Sequence, residues 1–481
     1  MNYKMIRYII GMILMAESAF MVLPMLFSLF YKEFDVLLPF AFSIGITFTV
    51  AAIFGLKKPK YDLVFARESY IAVAVGWILV SVFGALPFYL SGAIPSVADA
   101  LFETVSGFTT TGASVLSSVE NLPKGILFWR AFTHWIGGMG IIMFLMMLTQ
   151  MSEGHTLYIM RAEVPGPSVG KITPKSTSNA LILYGIYSAL TVIEIIMLLL
   201  GGMPFFDAVT TALSTAGTGG FSVRDAGMAA YDSAYIEWVV AAFMMIFAIN
   251  YNLYFLMLVK RFSIAFKSEE LRVFLAIVGV CTAVISISTF EYYGSFWVSL
   301  RKAFFETTAI ISTTGFSGIE YMNWPMICHA IILVLMFTGA CAGSTAGGLK
   351  LSRIIMTFKM LRKEAHRLAH PHEVTTIKFE GKFVDKETRS FIMVYMSAFF
   401  VILSVSSIIV MIAGYDFETS FSAVLTCLNN VGPGIGRIGH QGNFGFFSDL
   451  EKYFLSLLML TGRLEIFPIL ILFLPSTWRR H

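Results

Sequence analysis

Four short segments of this 481-residue chain carry residue types that could hold a bare monovalent cation: Thr110-Thr111-Gly112, Thr218-Gly219-Gly220, Thr313-Thr314-Gly315 and Asn430-Val431-Gly432. A dehydrated cation of this kind needs several weak oxygen ligands at once, and a ring of backbone carbonyls from converging segments supplies them. Glycine suits such a ring, because it takes backbone angles that turn carbonyls inward and has no side chain to obstruct the axis. Gly112, Gly220, Gly315 and Gly432 are the expected ring positions. In the second segment Gly217 or Gly219 could take that place instead, and in the fourth Asn429-Asn430-Val431-Gly432-Pro433 replaces the threonine pair.

Each triplet closes a longer repeated unit: residues 101–114 (LFETVSGFTTTGAS), 205–222 (FFDAVTTALSTAGTGGFS), 304–318 (FFETTAIISTTGFSG) and 417–436 (FETSFSAVLTCLNNVGPGIG). These stretches are too short to cross a bilayer, which takes roughly 20 apolar helical residues. They read as re-entrant: a short helix going in, then extended backbone coming out, tolerated where it lines water or protein. The helices would aim their negative C-terminal ends at the centre, favouring a cation. One such unit would read as an ordinary turn at a helix end. Four, each between two spans and on the same side, favour a ring. Glu103, Asp207, Glu306 and Glu418 recur near the starts of these helices, where a carboxylate suits a helix N-terminus better than it suits direct ion binding.

The elements that must position these segments are membrane spans. The chain is 57% hydrophobic and 13% charged, with a mean hydropathy of +0.76, far from a soluble globular protein. Apolar runs place ten spans near residues 6–30, 38–56, 69–90, 127–150, 179–201, 235–259, 271–289, 325–350, 390–413 and 452–475. After the first two, the order is span, re-entrant segment, span, four times over. The fold class expected is therefore an all-α polytopic membrane protein with four span–pore-loop–span repeats in pseudo-fourfold arrangement, plus an N-terminal two-helix hairpin. The divisions are residues 1–60 for the hairpin and 61–155, 156–265, 266–365 and 366–481 for the repeats.

Most of the 34 basic residues fall on the side shared by both termini, among them Lys57, Lys58, Lys60 and Arg67, Arg161, Lys171 and Lys175, Lys260, Arg261, Lys267 and Arg272, the run from Lys350 to Arg389, and Arg479 and Arg480. The positive-inside rule makes that side cytoplasmic. All four re-entrant segments then enter from the acidic outer face, which would concentrate cations at their mouths. The link from Ser352 to Lys386, with His366, His370 and His372, reads as a solvated, orientation-setting loop or a docking surface. The four cysteines lie singly in apolar runs, without the paired spacing of a disulfide framework or zinc site.

These repeats, with single Thr-x-Gly triplets rather than Thr-Val-Gly-Tyr-Gly, the added hairpin and the overall length, resemble the Trk/Ktr/HKT superfamily of potassium transporters, closest to the TrkH type. The resemblance covers nearly the whole chain. It implies potassium (K+) uptake through the cell membrane, a homodimeric membrane subunit, and a cytoplasmic nucleotide-binding regulatory partner. In that superfamily a serine at the first filter position goes with sodium preference, and this chain has Gly112 there.

Two further features fall below the expected ring. Gly339-Ala-Cys-Ala-Gly343-Ser344-Thr345-Ala-Gly347-Gly348-Leu-Lys350 interrupts the eighth span. Glycines at spacing four permit close helix packing, but this many glycines with Ser344 and Thr345 also weaken a helix enough to unwind it. The resemblance makes this stretch an intramembrane gating loop. Arg463 lies within the last span, where an arginine costs on the order of 2.5–3.5 kcal/mol on insertion scales unless it finds partners. The resemblance sets it beside the gating loop, opposing cation passage; a structural ion pair with Glu194 or Glu17 is the other reading, and Glu465 points elsewhere around the helix.

Asn250 and Asn252 are expected to hydrogen-bond between helices, and His134 with Trp135 to support packing. Gly434-Ile-Gly436-Arg-Ile-Gly439 fits a dinucleotide-binding pattern but lacks the strand before it and the helix after it. Neither an organic cofactor nor a nucleic-acid partner is expected, and no catalytic constellation appears. The competing class is a secondary solute transporter with ion coupling at broken helices, which would need inverted repeats entering from both faces.

Overall fold

The computed structural model describes residues 1–57, 59, 66–140, 176–316, 318–373, 376–439 and 442–479. Residues 141–150 of the expected fourth span, and Lys58, Lys60, Arg161, Lys171, Lys175 and Arg480, lie outside the described residues.

The N-terminal hairpin pairs Tyr3–Phe30 with Phe34–Gly55. Its helices approach closely because Gly11 sits on Gly55, where a Cβ would overlap the opposing backbone, the close contact that small residues allow between membrane helices. The hairpin then leans on the first repeat, with Phe27 stacked on Phe128 at 4.0 Å.

Each repeat opens with one apolar span: Arg67–Leu90, Ala180–Leu200, Glu269–Ser288 and Lys386–Ile412. With the hairpin, these are the six helices among the described residues that are long and apolar enough to cross a membrane. The re-entrant helices follow at Val97–Phe108, Phe205–Gly217, Phe296–Ile311 and Phe417–Asn429. Local chemistry starts them: Ser96 caps Asp99 N at 3.3 Å, and Asp416 caps Thr419 N at 2.9 Å, satisfying amides that a first helical turn leaves free. Asp207 and Glu418 lie in first turns as expected. Glu103 and Glu306 do not. They sit mid-helix and buried, so the helix-terminus account fails for them.

The second spans depart further from continuous helix than the single interruption expected in the eighth. Among the described residues, the helix stops short in each. Lys124–Met139, Ala234–Phe247, Met326–Thr338 and Asp449–Arg463 run for 16, 14, 13 and 15 residues, about 20–24 Å of helix against a hydrocarbon core of about 30 Å. Gly140 turns out of the first with φ 80°. The second bends by 93° into Tyr251–Leu258. The third gives way to an unwound stretch from Gly339 to Lys350, as expected there, before Leu351–Ala369. The last passes through Glu465 and Ile466, at φ 56° and 68°, into Phe467–Phe473.

Such breaks persist in a membrane only if the freed backbone groups find partners, and here they bond to one another. Cys341 N donates to Ala248 O at 3.2 Å and Tyr251 N to Gly343 O at 3.1 Å, so the second and third breaks dock together. Asn250 belongs to this joint: it caps Asn252 N at 2.9 Å rather than bridging two helices as expected.

The Ser352–Lys386 link carries regular structure among its described residues. Leu351–Ala369 runs through the 365/366 boundary, and a two-residue antiparallel pair, Lys378–Phe379 with Lys382–Phe383, follows it. Glu380 in that turn accepts from Ser268 Oγ at 2.8 Å and Glu270 N at 3.0 Å. No parallel sheet exists among the described residues, and 436–438 is one short 3-10 turn, so the dinucleotide pattern has no supporting fold.

Candidate ion-binding site

The four re-entrant helices end identically. Thr110, Thr218, Thr313 and Asn430 each adopt left-handed angles, φ 56°, 56°, 56° and 53°. The next residue's amide reaches back five positions: Thr111 N to Ser106 O, Gly219 N to Ser214 O, Thr314 N to Ala309 O and Val431 N to Thr426 O, at 2.9–3.0 Å. This is the Schellman arrangement, usually built on glycine or asparagine. A β-branched threonine in that conformation is strained, and three in one molecule mark a place that the surroundings over-determine.

Two residues on, Gly112, Gly220, Gly315 and Gly432 again take positive φ, at 78°, 76°, 65° and 99°. This register selects Gly220 over Gly217 and Gly219 as the counterpart of the other three. The contacts close a circle. A Cβ on Gly112 would overlap Gly219 O, one on Gly220 would overlap Thr314 O, one on Gly315 Val431 O, and one on Gly432 would crowd Thr111 O. Each glycine therefore packs on the carbonyl of the residue preceding the next repeat's glycine, round four repeats and back to the first. Gly112, Gly315 and Gly432 also line a shared cavity with Ser114, Arg224 and Asp225.

Asn430, at the closing seam, uses its longer side chain: Nδ2 donates to Thr111 Oγ1 at 2.9 Å and Met459 O at 3.0 Å. The departure from threonine thus keeps the backbone and adds a tie between the last repeat and the first.

The unwound loop lies directly against this ring. Gly347 N donates to Thr313 Oγ1 at 2.7 Å, and a Cβ on Gly347 would meet Asn429 O and the Asn430 side chain. Gly339 abuts Gly347 and Gly348, so the loop folds back on itself. Ser344 Oγ donates to Cys341 O at 2.6 Å, Thr345 Oγ1 to Phe247 O at 3.3 Å, and Lys350 Nζ to Ala346 O. Glu270, which the sequence reading passed over, fastens both ends: its Oε1 accepts from Ala342 N at 2.8 Å and Ser352 N at 3.0 Å.

Arg463 joins three breaks. Its guanidinium donates to Thr345 O at 2.8 Å, Gly137 O at 2.5 Å and Gly138 O at 2.7 Å. Glu465 pairs instead with Arg353; it lies past the end of the helix, where its backbone is left-handed at φ 56°. Among the described residues, neither Glu17 nor Glu194 is paired with Arg463, whose guanidinium goes to carbonyls instead. Arg463, Lys350, Gly343, Ser344, Gly347 and Gly348 line one cavity beneath the ring.

A family model described as TrkH, cation transport protein, matches residues 40–480. The chain belongs to that family. It is 35% identical to the Trk system potassium uptake protein TrkH of Salmonella typhimurium over 492 aligned residues, covering all of both chains. The Trk system potassium uptake protein TrkH of Halomonas elongata is also 35% identical, over 488 residues and with full coverage of both. Among solved structures, the crystal structure of the potassium transporter TrkH from Vibrio parahaemolyticus superposes with a TM-score of 0.89 at 33% identity, covering the whole of both chains. Membership fixes the fold class: four span–loop–span repeats about a pseudo-fourfold axis, beside an N-terminal hairpin.

Proposed function

We propose that this chain takes up potassium across the cytoplasmic membrane through a filter formed by residues 110–112, 218–220, 313–315 and 430–432. The observation that carries the reading is the closed circle of glycine-on-carbonyl contacts. Four backbone segments in matching left-handed conformations meet around one axis, with carbonyl oxygens as the only ligand type common to all four. Such oxygens replace a monovalent cation's hydration shell without binding it too tightly to leave. The potassium uptake named for the relatives agrees with that chemistry.

In the same reading the Gly339–Lys350 loop is the gate, and Arg463 holds it across the pathway. An arginine bonded to carbonyls from two other repeats occupies the space under the ring with a positive charge, which repels a cation. Both termini face the cytoplasm, a second copy completes a homodimer, and a cytoplasmic nucleotide-binding subunit releases the loop. These assignments rest on the distribution of basic residues and on the superfamily resemblance; the relatives are named as parts of a Trk system.

Flux of a potassium tracer into proteoliposomes, with sodium as competitor, tests the filter. The wild type should prefer potassium, and Gly112→Ser should lose that preference, since a Cβ there meets Gly219 O at a φ that disfavours side chains. A wild type that moves no monovalent cation, with or without cytoplasmic extract, would overturn the reading.

A further inference from the structure

The helix Lys124–Met139 of the first repeat also supports the second repeat's quarter of the ring. Arg130 and His134 lie one turn apart on it and so share a face. Both reach the segment that leaves the second re-entrant helix. Arg130 donates to Ser222 O at 2.9 Å, holds its guanidinium carbon 3.5 Å from the Phe221 ring centre, and is paired with Glu103 at 2.6 Å. His134 is fully buried and stacks on Phe221, with ring centres 4.1 Å apart and planes inclined by 24°.

The imidazole's other neighbour is Gly219. A Cβ on Gly219 would run into Cγ, Nδ1 and Cε1 of His134 together, so the ring lies over that Cα. In extended backbone, alternate residues face the same side: Gly219 and Phe221 face His134, while Gly220 between them turns to Thr314 O of the third repeat. The ring fills the notch between 219 and 221. Unlike Gly220, Gly219 is not at positive φ, so its backbone angles admit any residue. What excludes a side chain there is the imidazole. Neither ring nitrogen has a hydrogen-bond partner among the described residues, an unusual state for a buried polar group and one that packing stability alone does not explain.

We infer that His134 is a selectivity-positioning residue: its imidazole, lodged between Gly219 and Phe221, sets where the second repeat presents Gly219 O to the ring, and Gly219 is glycine because the imidazole occupies its space. This rests on the ring being the filter. It differs from the expectation that His134 only supports packing.

Tracer flux of potassium against sodium, read on full-length protein in proteoliposomes with size-exclusion elution as the fold check, tests it on Gly219→Ala, His134→Ala and the double variant, with Gly112→Ser as the filter control. Gly219→Ala overpacks the notch and should lower the potassium preference about tenfold. His134→Ala leaves the segment unsupported and should also lower it. The double variant, in which the alanine methyl enters the space vacated by the imidazole, should recover folding and preference to within about threefold of wild type. A double variant no better than Gly219→Ala in either readout, or an unchanged preference in His134→Ala, overturns the inference. If Gly112→Ser keeps its preference, the filter reading itself has failed. If only the control loses it, the filter stands and the role of His134 falls.

Discussion

The amide of Gly347 donates to the hydroxyl of Thr313 at 2.7 Å, so the unwound loop hangs from the strained residue that ends the third re-entrant helix. Loop and ring are one bonded structure at this point. Replacing the hydroxyl by a methyl, Thr313→Val, keeps the shape and removes the acceptor from a buried amide. A single hydrogen bond of this kind is worth about 0.5–1.5 kcal/mol, or roughly a two- to tenfold shift in the loop's equilibrium. Basal potassium flux should rise by that factor at matched protein density, with the potassium-to-sodium ratio unchanged. A changed ratio with unchanged flux would mean that the bond shapes the filter and does not hold the loop.

Arg463 should hold the loop more strongly, because it makes three charge-assisted bonds to carbonyls of the first and third repeats. Arg463→Ala should leak by about tenfold or more. Arg463→Lys keeps the charge but cannot reach three carbonyls with a planar fork, and should fall between the two. If lysine and alanine leak equally, geometry rather than charge closes the pathway.

The ring was legible because it is carried by backbone: glycine and threonine in a repeated order leave a trace in any sequence. The breaks were not equally legible. Gly339–Lys350 advertises its weakness with glycines, but Ala248-Ile-Asn250 and Leu464-Glu-Ile466 are apolar enough to read as helix; the first is tied to the third repeat by backbone bonds and the second by the Arg353–Glu465 pair. The same limit hid His134. Nothing near residue 134 in sequence indicates that Gly219 lies against it, whereas Gly219's own register was ambiguous until the left-handed threonines aligned it with Thr111, Thr314 and Val431. Glu103 and Glu306 misled in the opposite direction, since spacing suggested a helix start that lies several residues earlier.

Across the last break, Arg353 and Glu465 form a buried pair, and the Arg353 guanidinium carbon sits 4.1 Å from the Tyr395 ring centre. Glu465 itself is held at φ 56°. Removing one partner leaves an uncompensated buried charge, which typically costs about 3–5 kcal/mol. Glu465→Gln and Arg353→Met should each lower the melting temperature in detergent, and the double variant should recover part of the loss. Additive losses would show that the two side chains stabilise the break independently.

Asp225 ties the first repeat's exit to the second's: its carboxylate accepts from Ser118 Oγ and Val119 N, both at 2.7 Å. Burial alone would raise its pKa, but these hydrogen bonds outweigh it and hold the group below its ordinary value. A carboxyl depressed in the folded state stabilises above its unfolded pKa of about 3.9 and loses that contribution as pH falls through the lower folded value. Thermal stability of the wild type should therefore decline between about pH 4 and the folded value, and Asp225→Asn should flatten that part of the profile while being less stable at neutral pH. The group is exposed, so the effect should be small and reduced by salt. A profile that is the same in both proteins would mean that the acid sensitivity arises elsewhere and that Asp225 does not join the two exits.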